Sequence, residues 1–272
     1  MPLLPLLLLS LPPHAAATEP ACPCAAALCR PLVNAPRPAK EVFLVAQAVK
    51  PLGGPKPPID WRSWDGLRTA TTIVYAWGHP LRWHGNGSAY VFNEYAETDP
   101  FPDRGLLCAA HARGVRVILS VPGGAPYGNA TALLPHETRY PLLATNLARL
   151  IKQFGFDGME ADFEGQYKSK DTAVWSQYLA FLRTLQATLH REIPGSYLTM
   201  THECGPMPFM AKHARDCVAA TDAVLLMCYD FNTRCAWPSL SRTSSRSLSL
   251  TAAAADLAQH EVPAQQHSHG GS

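Results

Sequence analysis

The sequence predicts an α/β fold built around a parallel β-sheet, and three observations support this prediction. Six short runs rich in β-branched and aromatic residues recur along the chain, helix-like stretches lie between several of them, and the runs are apolar at most positions. Strands that are covered by helices on both faces are typically apolar throughout, as in parallel sheets. Six strands with long connections fit either a doubly wound sheet or part of a (β/α)8 barrel.

The predicted elements alternate in type along the chain. Six runs are predicted to be strands, at 42–45, 72–77, 115–121, 156–163, 197–201 and 223–229. Three stretches between them have apolar residues at helical spacing, at 106–113, 141–154 and 172–192. The third is the clearest helix, because Trp175, Tyr178 and Leu182 recur at intervals of three and four residues and therefore share one face.

Composition and charge exclude several classes of protein. Of the 272 residues, 47% are hydrophobic and 16% are charged, which excludes a disordered chain of mixed charge. The net charge of +2, from 23 basic and 21 acidic side chains, gives no support for a nucleic-acid partner. Beyond the N-terminus no apolar run reaches the roughly 18 residues of a membrane span, so we expect no membrane partner.

The N-terminal region indicates a secreted or lysosomal protein rather than one with an unstructured leader. An apolar run at 3–11 precedes three alanines that end at Ala17, an arrangement typical of a cleaved signal peptide. Glycosylation sequons at Asn86 and Asn129 agree with secretion. The cysteine spacing at 22–29 does not match the Cys-x-x-Cys pairs of zinc ribbons, and it predicts a tail pinned by disulfides.

The densest chemistry lies at 157–164, where four of eight residues are acidic. Side chains alternate along a strand, so Glu160, Asp162 and Glu164 share one face at a spacing of about 6–7 Å. Buried carboxylates this close raise the pKa of at least one of them, and a protonated carboxyl can then act as a general acid. Two alternative interpretations fit the same residues: an edge strand with a solvated acidic face, or a site where carboxylates bind magnesium or calcium.

This acidic strand resembles the active-site signature of glycoside hydrolase family 18, the chitinase family. The signature Asp-Gly-x-Asp-x-Asp-x-Glu corresponds to residues 157–164, with Glu160 in place of the usual Asp. Residues 227–230, Met-Cys-Tyr-Asp, are similar to the Met-x-Tyr-Asp motif of the family. The segments 22–31, 41–43 and 190–196 narrow the resemblance to the lysosomal chitobiase branch, which acts on the chitobiose core of Asn-linked glycans.

The resemblance implies hydrolysis of β-1,4-linked N-acetylglucosamine by a retaining, substrate-assisted mechanism, without a metal or an organic cofactor. Glu164 would protonate the glycosidic oxygen and then activate water. Asp162 would orient the acetamido N–H of the substrate, while Glu160 would tune Asp162 from behind. Tyr229 would hydrogen-bond the acetamido carbonyl.

Three further residues of the matched motifs are candidates for substrate binding. Asp230 would support the substrate or Asp162, and Met227 and Asp157 stand at the start of the two motifs. For His202, which ends the fifth predicted strand, a substrate contact and a packing role both stay open. The partner that the resemblance implies is an oligosaccharide containing N-acetylglucosamine, with no obligate protein partner.

The domain organisation expected from these features has three parts. A signal peptide occupies 1–17, an incomplete (β/α)8 barrel with about six strands occupies 18–237, and a low-complexity tail at 238–272 is expected to be disordered. The missing strands indicate either a truncated product or a gap covered by a partner, and we expect truncation. An active hydrolase and an inactive sugar-binding or defective relative therefore remain the two hypotheses.

Overall fold

The computed structural model describes residues 22–32, 40–47, 61–76, 81–91, 101–125, 127–164, 172–203 and 215–227. The predicted signal peptide at 1–17 and the predicted tail at 238–272 lie outside these residues. Within the described part of the chain, none of the helices combines the length and the apolar character that a membrane crossing requires.

A six-stranded parallel sheet forms the centre of the fold and curls into an incomplete (β/α)8 barrel. Its strands are β1 (Phe43–Gln47), β2 (Thr72–Ala76), β5 (Arg116–Pro122), β6 (Gly158–Asp162), β7 (Tyr197–Glu203) and β8 (Ala223–Met227). They are hydrogen-bonded in that order, so strands adjacent in the sheet follow one another along the chain. A doubly wound sheet would instead reverse its order at a switch point, which excludes that alternative.

All six predicted strands are confirmed, and one hairpin was not predicted. The hairpin consists of β3 (Leu81–Trp83) and β4 (Ala89–Val91), which pair antiparallel apart from the main sheet. The indole N–H of Trp83 donates to the carbonyl of Pro122 at 3.0 Å, and the Trp83 ring stacks on Phe163 at 5.3 Å. These contacts hold the hairpin against the carboxyl ends of β5 and β6.

Five α-helices have both ends within the described residues, the three predicted ones among them, and residues 215–220 are helical as well. The five are α1 (Gly66–Thr69), α2 (Arg104–His111), α3 (Ala130–Leu133), α4 (Tyr140–Phe154) and α5 (Thr172–Glu192). Helix α2 starts where the Asp103 carboxylate accepts the Leu106 N–H at 3.1 Å, which is a standard N-cap. Helix α4 ends at Gly155 with φ 82°, where a Cβ atom would also collide with the Cys29 carbonyl.

The two faces of the sheet have different surroundings. The outer face packs against the helices in the main core, which includes Leu119, Met159 and Leu198. The inner face carries a smaller apolar cluster around Val74, Ile118 and Tyr197. Polar side chains can therefore occupy the inner face near the carboxyl ends of the strands without disrupting the main core.

Two disulfides pin the N-terminal segment, as its cysteine pattern predicted. Cys22 is bonded to Cys29, and Cys24 is bonded to Cys108 of α2, 84 residues away. The four sulfur atoms lie within 4.8 Å of one another. Both bonds consume all four thiols, so the oxidised protein offers no thiolate at this cluster to a metal ion.

Removing the long-range bridge should destabilise the fold. We expect Cys24→Ser combined with Cys108→Ser to lower the free energy of unfolding by about 2–4 kcal/mol, because a constraint on the unfolded chain is lost. Denaturant unfolding of the purified variants measures this change. The matched control, Cys22→Ser with Cys29→Ser, opens a bridge spanning only 7 residues and should cost less. Equal losses in the two double variants would contradict the argument.

Candidate active site

The three acidic residues singled out in the sequence lie along β6 and just beyond it, on the inner face of the sheet. Alternation is confirmed, because the intervening Met159 and Ala161 are fully buried on the outer, helix-covered face. Exposure rises along the row: Glu160 is 6% exposed, Asp162 is half-buried, and Glu164 is exposed. The row therefore runs from the interior of the half-barrel to solvent.

Asp162 and Glu164 line an open depression of about 230 Å3 at the carboxyl ends of β5 and β6. Its remaining walls are Pro122, Gly124, Ala125 and Tyr127. In (β/α)8 barrels this end of the strands carries the active site. The loop after β5 closes tightly over the β6 side, since the Gly123 N–H donates to the Asp162 carbonyl at 3.0 Å. A Cβ at Gly123 would lie 2.5 Å from the Phe163 ring, so only glycine fits there.

Asp162 is held from the neighbouring strand. The hydroxyl of Thr201 on β7 donates to Asp162 Oδ1 at 3.0 Å. Burial raises the pKa of Asp162, the hydrogen bond from Thr201 opposes this shift, and the charge of Glu164 adds to it. Asp162 therefore sits between a donor on β7 and an acidic neighbour at the mouth of the depression.

Glu160 lies one layer deeper and is the most perturbed carboxyl of the row. Burial raises its pKa to about 7, the hydrogen bond with Ser120 on β5 partly opposes this shift, and the charge of Asp162 adds to it. Below pH 7 Glu160 is therefore mostly a neutral carboxylic acid.

Replacing Glu160 should change how stability depends on pH. Because the folded pKa of Glu160, about 7, exceeds the ordinary value of 4.5 that the unfolded chain keeps, the folded state holds this proton more tightly. Its contribution to stability is complete below pH 4.5 and is lost as pH rises towards 7. We expect the wild type to lose about 2 kcal/mol more than Glu160→Gln between pH 5 and pH 7.

Denaturant titrations of both proteins at several pH values measure this difference. Glu137→Gln serves as the control, since Glu137 is exposed and its carboxylate is not desolvated. Parallel curves of stability against pH for wild type and Glu160→Gln would contradict the prediction.

Asp157, a predicted substrate-binding residue, does not belong to this site. It precedes β6 at the amino end of the strand, is 1% exposed, and faces α2. Its carboxylate accepts hydrogen bonds from His111 Nε2 at 2.8 Å, from the Val117 N–H at 2.6 Å and from the Leu32 N–H at 2.5 Å. With both oxygens engaged by the protein and no exposure, it cannot contact a substrate in the depression.

Of the other predicted site residues, the structure describes Met227 and His202. Met227 ends β8 and packs, half-buried, against the main core. The His202 ring packs edge-on against the Trp175 ring, with 6.1 Å between the ring centres, and His202 is 5% exposed. Packing rather than a substrate contact therefore accounts for its position. Tyr229 and Asp230 lie outside the described residues, and their roles stay predictions.

Three polar residues of the site were missed in the sequence, namely Ser120, Thr201 and Tyr127. Thr201 could have been found, because alternation along the fifth predicted strand places it on the same face as Tyr197, which is the inner face of the sheet. Tyr127 lies in a loop without periodicity and carried no signal. Its ring is covered by the guanidinium of Arg82 at 4.4 Å from the ring centre, which orients it beside the depression.

A cation site in the acidic row is not supported. Among the described residues, only the four disulfide-bonded cysteines cluster closely enough to surround a metal ion. Glu160 and Asp162 follow one another along β6 and Glu164 lies beyond its end, and the oxygens of the three carboxyls do not cluster around one point.

Comparisons with known proteins agree with the fold. The model of the family described as Glycosyl hydrolases family 18 matches residues 59–268. No curated protein matches the chain. Among solved structures, a Group IV chitinase from Ostrinia furnacalis in complex with allosamidin has a TM-score of 0.55 at 17% identity, covering 70% of this chain and 51% of that one.

Two further chitinases are similar at the level of the fold. A chitinase from Bacteroides thetaiotaomicron has a TM-score of 0.50 at 18% identity, covering 71% of this chain and 54% of that one. The second catalytic domain of a Group II chitinase from Ostrinia furnacalis, in complex with penta-N-acetylchitooctaose, has a TM-score of 0.51 at 16% identity, covering 70% of this chain and 50% of that one. The chain thus spans about half the length of these chitinases.

Proposed function

The chain belongs to glycosyl hydrolase family 18, and we propose that it hydrolyses β-1,4 bonds between N-acetylglucosamine residues. The observation that carries the proposal is the row of three carboxyls at the carboxyl end of β6. It places an exposed acid, Glu164, in an open depression beside a half-buried partner, Asp162, and above a buried carboxyl, Glu160. This gradient separates Glu164 and Asp162, which a substrate in the depression can reach, from Glu160, which only the protein contacts.

The proposed reaction proceeds in two steps with retention at the anomeric carbon. In the first, Glu164 donates a proton to the glycosidic oxygen while the acetamido oxygen of the substrate attacks C1, which gives a cyclic oxazolinium ion. In the second, Glu164 accepts a proton from the water that opens this ion. Asp162 receives the acetamido N–H and offsets the positive charge, which is greater in the transition states than in the bound substrate.

Glu160 has a supporting role in this proposal. Its carboxyl is buried and does not line the depression, so it acts through Asp162 rather than on the sugar. When Glu160 carries its proton, Asp162 can stay ionised, because the two groups no longer repel each other as like charges. Tyr229 and Asp230 complete the proposed site, Tyr229 by hydrogen-bonding the acetamido carbonyl.

The substrate proposed is the chitobiose core of Asn-linked glycans and short chitooligosaccharides, as in di-N-acetylchitobiase. Support comes from the resemblance of segments 22–31, 41–43 and 190–196 to the chitobiase branch. The location proposed is the lysosome or the extracellular space. The two disulfides favour an oxidising compartment, and both sequon residues, Asn86 and Asn129, are exposed as glycosylation requires.

A sugar-binding protein without hydrolytic activity is the second candidate. The observation that favours it is the six-stranded sheet, in which β1 and β8 each have a neighbour on only one side within the described part of the chain. A half-barrel could bind a sugar through one wall of the site and yet lack groups that a complete ring of strands would supply.

The test is release of N-acetylglucosamine from di-N-acetylchitobiose by the purified chain, followed by proton NMR of the first product formed. Early appearance of the β-anomer, together with competitive inhibition by a thiazoline analogue of the oxazolinium ion, supports the proposed mechanism. Binding of chitotriose in calorimetry without any release of sugar would instead favour the second candidate. Initial formation of the α-anomer would exclude a retaining reaction.

A further inference from the structure

The two strands beside β6 each direct one hydroxyl at the carboxyl row. Ser120 on β5 is the register partner of Glu160 and hydrogen-bonds its side chain. Thr201 on β7 lies one residue beyond the paired Ala161 and Met200, and it reaches Asp162. Each inner carboxyl therefore has its own hydroxyl donor, supplied from opposite sides of the strand.

The proton of the Thr201 hydroxyl is directed at the carboxylate. Thr201 Oγ1 lies 3.0 Å from Asp162 Oδ1 but 3.4 Å from the Ala161 carbonyl oxygen. A hydroxyl has one proton to donate, and it forms its hydrogen bond with the charged acceptor at the shorter distance. Thr201 is 4% exposed, so water does not compete effectively for this bond.

We propose that Thr201 is a positioning residue for the hydrolysis, which fixes the Asp162 carboxylate through Oδ1 and leaves Oδ2 to receive the acetamido N–H of the substrate. The proposal rests on the proposed function. An aspartate carboxylate can rotate about the two rotatable bonds of its side chain. Each unproductive orientation lowers the fraction of enzyme molecules in which the acetamido group is positioned to attack C1. The bond from β7 removes that freedom before substrate arrives.

The same bond should keep Asp162 ionised in an acidic setting. A hydrogen bond donated to a carboxylate favours its charged form, in opposition to the effects of burial and of Glu164. Among the described side chains, the other titratable groups that face Asp162 are Glu160 on its own strand, Glu164 just beyond the end of that strand, and Tyr127 across the depression. The neighbouring β5 presents Pro122 at this level, which has no charge.

Thr199 provides a matched control on the same strand and the same face. It is fully buried two residues before Thr201, opposite Glu160 in the register. Its hydroxyl makes no hydrogen bond within the described structure. Exchange of threonine for valine keeps the side-chain shape at both positions, so the two variants differ mainly in whether a bond to a carboxylate is lost.

The experiment compares Thr201→Val, Thr201→Ser and Thr199→Val in steady-state hydrolysis of di-N-acetylchitobiose across pH. We expect Thr201→Val to lower kcat by about 10- to 100-fold with little change in KM, because a hydrogen bond to a charged group is lost. The acidic limb of its pH profile should move to higher pH. Thr201→Ser should restore both properties, and Thr199→Val should behave as wild type.

A second measurement does not require turnover. Carbon-13 NMR of protein labelled at aspartate carboxyls follows the titration of Asp162, whose signal is assigned by its absence in Asp162→Asn. We expect Thr201→Val, and not Thr201→Ser, to raise the midpoint of this titration. An unchanged midpoint together with unchanged kcat in Thr201→Val would overturn the proposal. A wild type that releases no sugar, but shows the shifted midpoint in Thr201→Val, would instead reject the proposed function alone.

Discussion

Glu164→Gln is expected to lower kcat for di-N-acetylchitobiose by about 1000-fold or more. General acid–base catalysis contributes about 100- to 10,000-fold to such reactions, and the amide can neither donate nor accept the transferred proton. KM should change little, because the amide has nearly the same size and Glu164 is exposed at the mouth of the depression. Stability should also be unaffected, since an exposed carboxylate contributes little to it.

The measurement is release of N-acetylglucosamine by wild type and variant at equal concentrations of folded protein. Glu137→Gln is the matched control, because Glu137 is another exposed glutamate but does not line the depression. Residual activity within about tenfold of wild type would show that Glu164 is not the general acid.

Asp157→Asn is expected to lower the free energy of unfolding by about 3–5 kcal/mol, the usual cost of breaking a buried ion pair by removing one partner. Asp157 and His111 are both buried, with 2.8 Å between carboxylate oxygen and ring nitrogen. Asparagine cannot replace the three accepted hydrogen bonds. Either orientation of the amide turns an NH2 group towards a backbone N–H, of Leu32 or of Val117.

The His111 pair should also stabilise the protein most strongly at acidic pH. Burial alone would lower the pKa of His111, but the hydrogen bond and charge of Asp157, together with the hydrogen bond to the Leu28 carbonyl, outweigh it, so the net shift is upward. A raised folded pKa means that the stabilisation is complete below the unfolded value of 6.5 and is lost as pH rises through the folded value. We therefore expect His111→Gln to cost more stability at pH 5 than at pH 8.

Denaturant unfolding at the two pH values tests both variants. His190→Gln is the matched control, because His190 pairs with Asp222 at 3.0 Å but its side chain is 38% exposed. Asp222 is buried but His190 is partly exposed, and a pair with one partner in contact with solvent is weaker than a fully buried one, so this variant should lose less stability than His111→Gln at pH 5. Equal losses for His111→Gln at pH 5 and pH 8 would refute the expected pH dependence.

The pair also explains why Asp157 was misassigned in the sequence. Asp157 belongs to the same matched motif as Asp162 and Glu164, and the motif alone suggests a common task. The spacing argues otherwise, because Asp157 lies three positions before Glu160 and five before Asp162. Side chains an odd number of positions apart on a strand point to opposite faces. The structure shows the consequence: Asp157 fastens the N-terminal segment, α2 and β5 together at the opposite end of β6.

Much of the architecture could be predicted because it depends on short-range patterns. Apolar runs with strand-like composition identified all six strands of the sheet, and apolar residues at helical spacing identified α2, α4 and α5. The hairpin of β3 and β4 could not be predicted, since strands of three residues are too short to show alternation. It is stabilised instead by Trp83 against Phe163 and Pro122, contacts between residues far apart in the chain.

Alternation of side chains, a property of every extended strand, was enough to predict that Glu160 and Asp162 share one face of β6, with Glu164 following them. How these three carboxyls differ depends on the folded chain around them. Burial makes Glu160 a weak acid with a pKa of about 7, Thr201 from β7 holds Asp162, and Glu164 reaches solvent. The pKa and orientation of a carboxyl depend on desolvation and on hydrogen-bond donors from neighbouring strands, and chain folding alone brings those donors within reach.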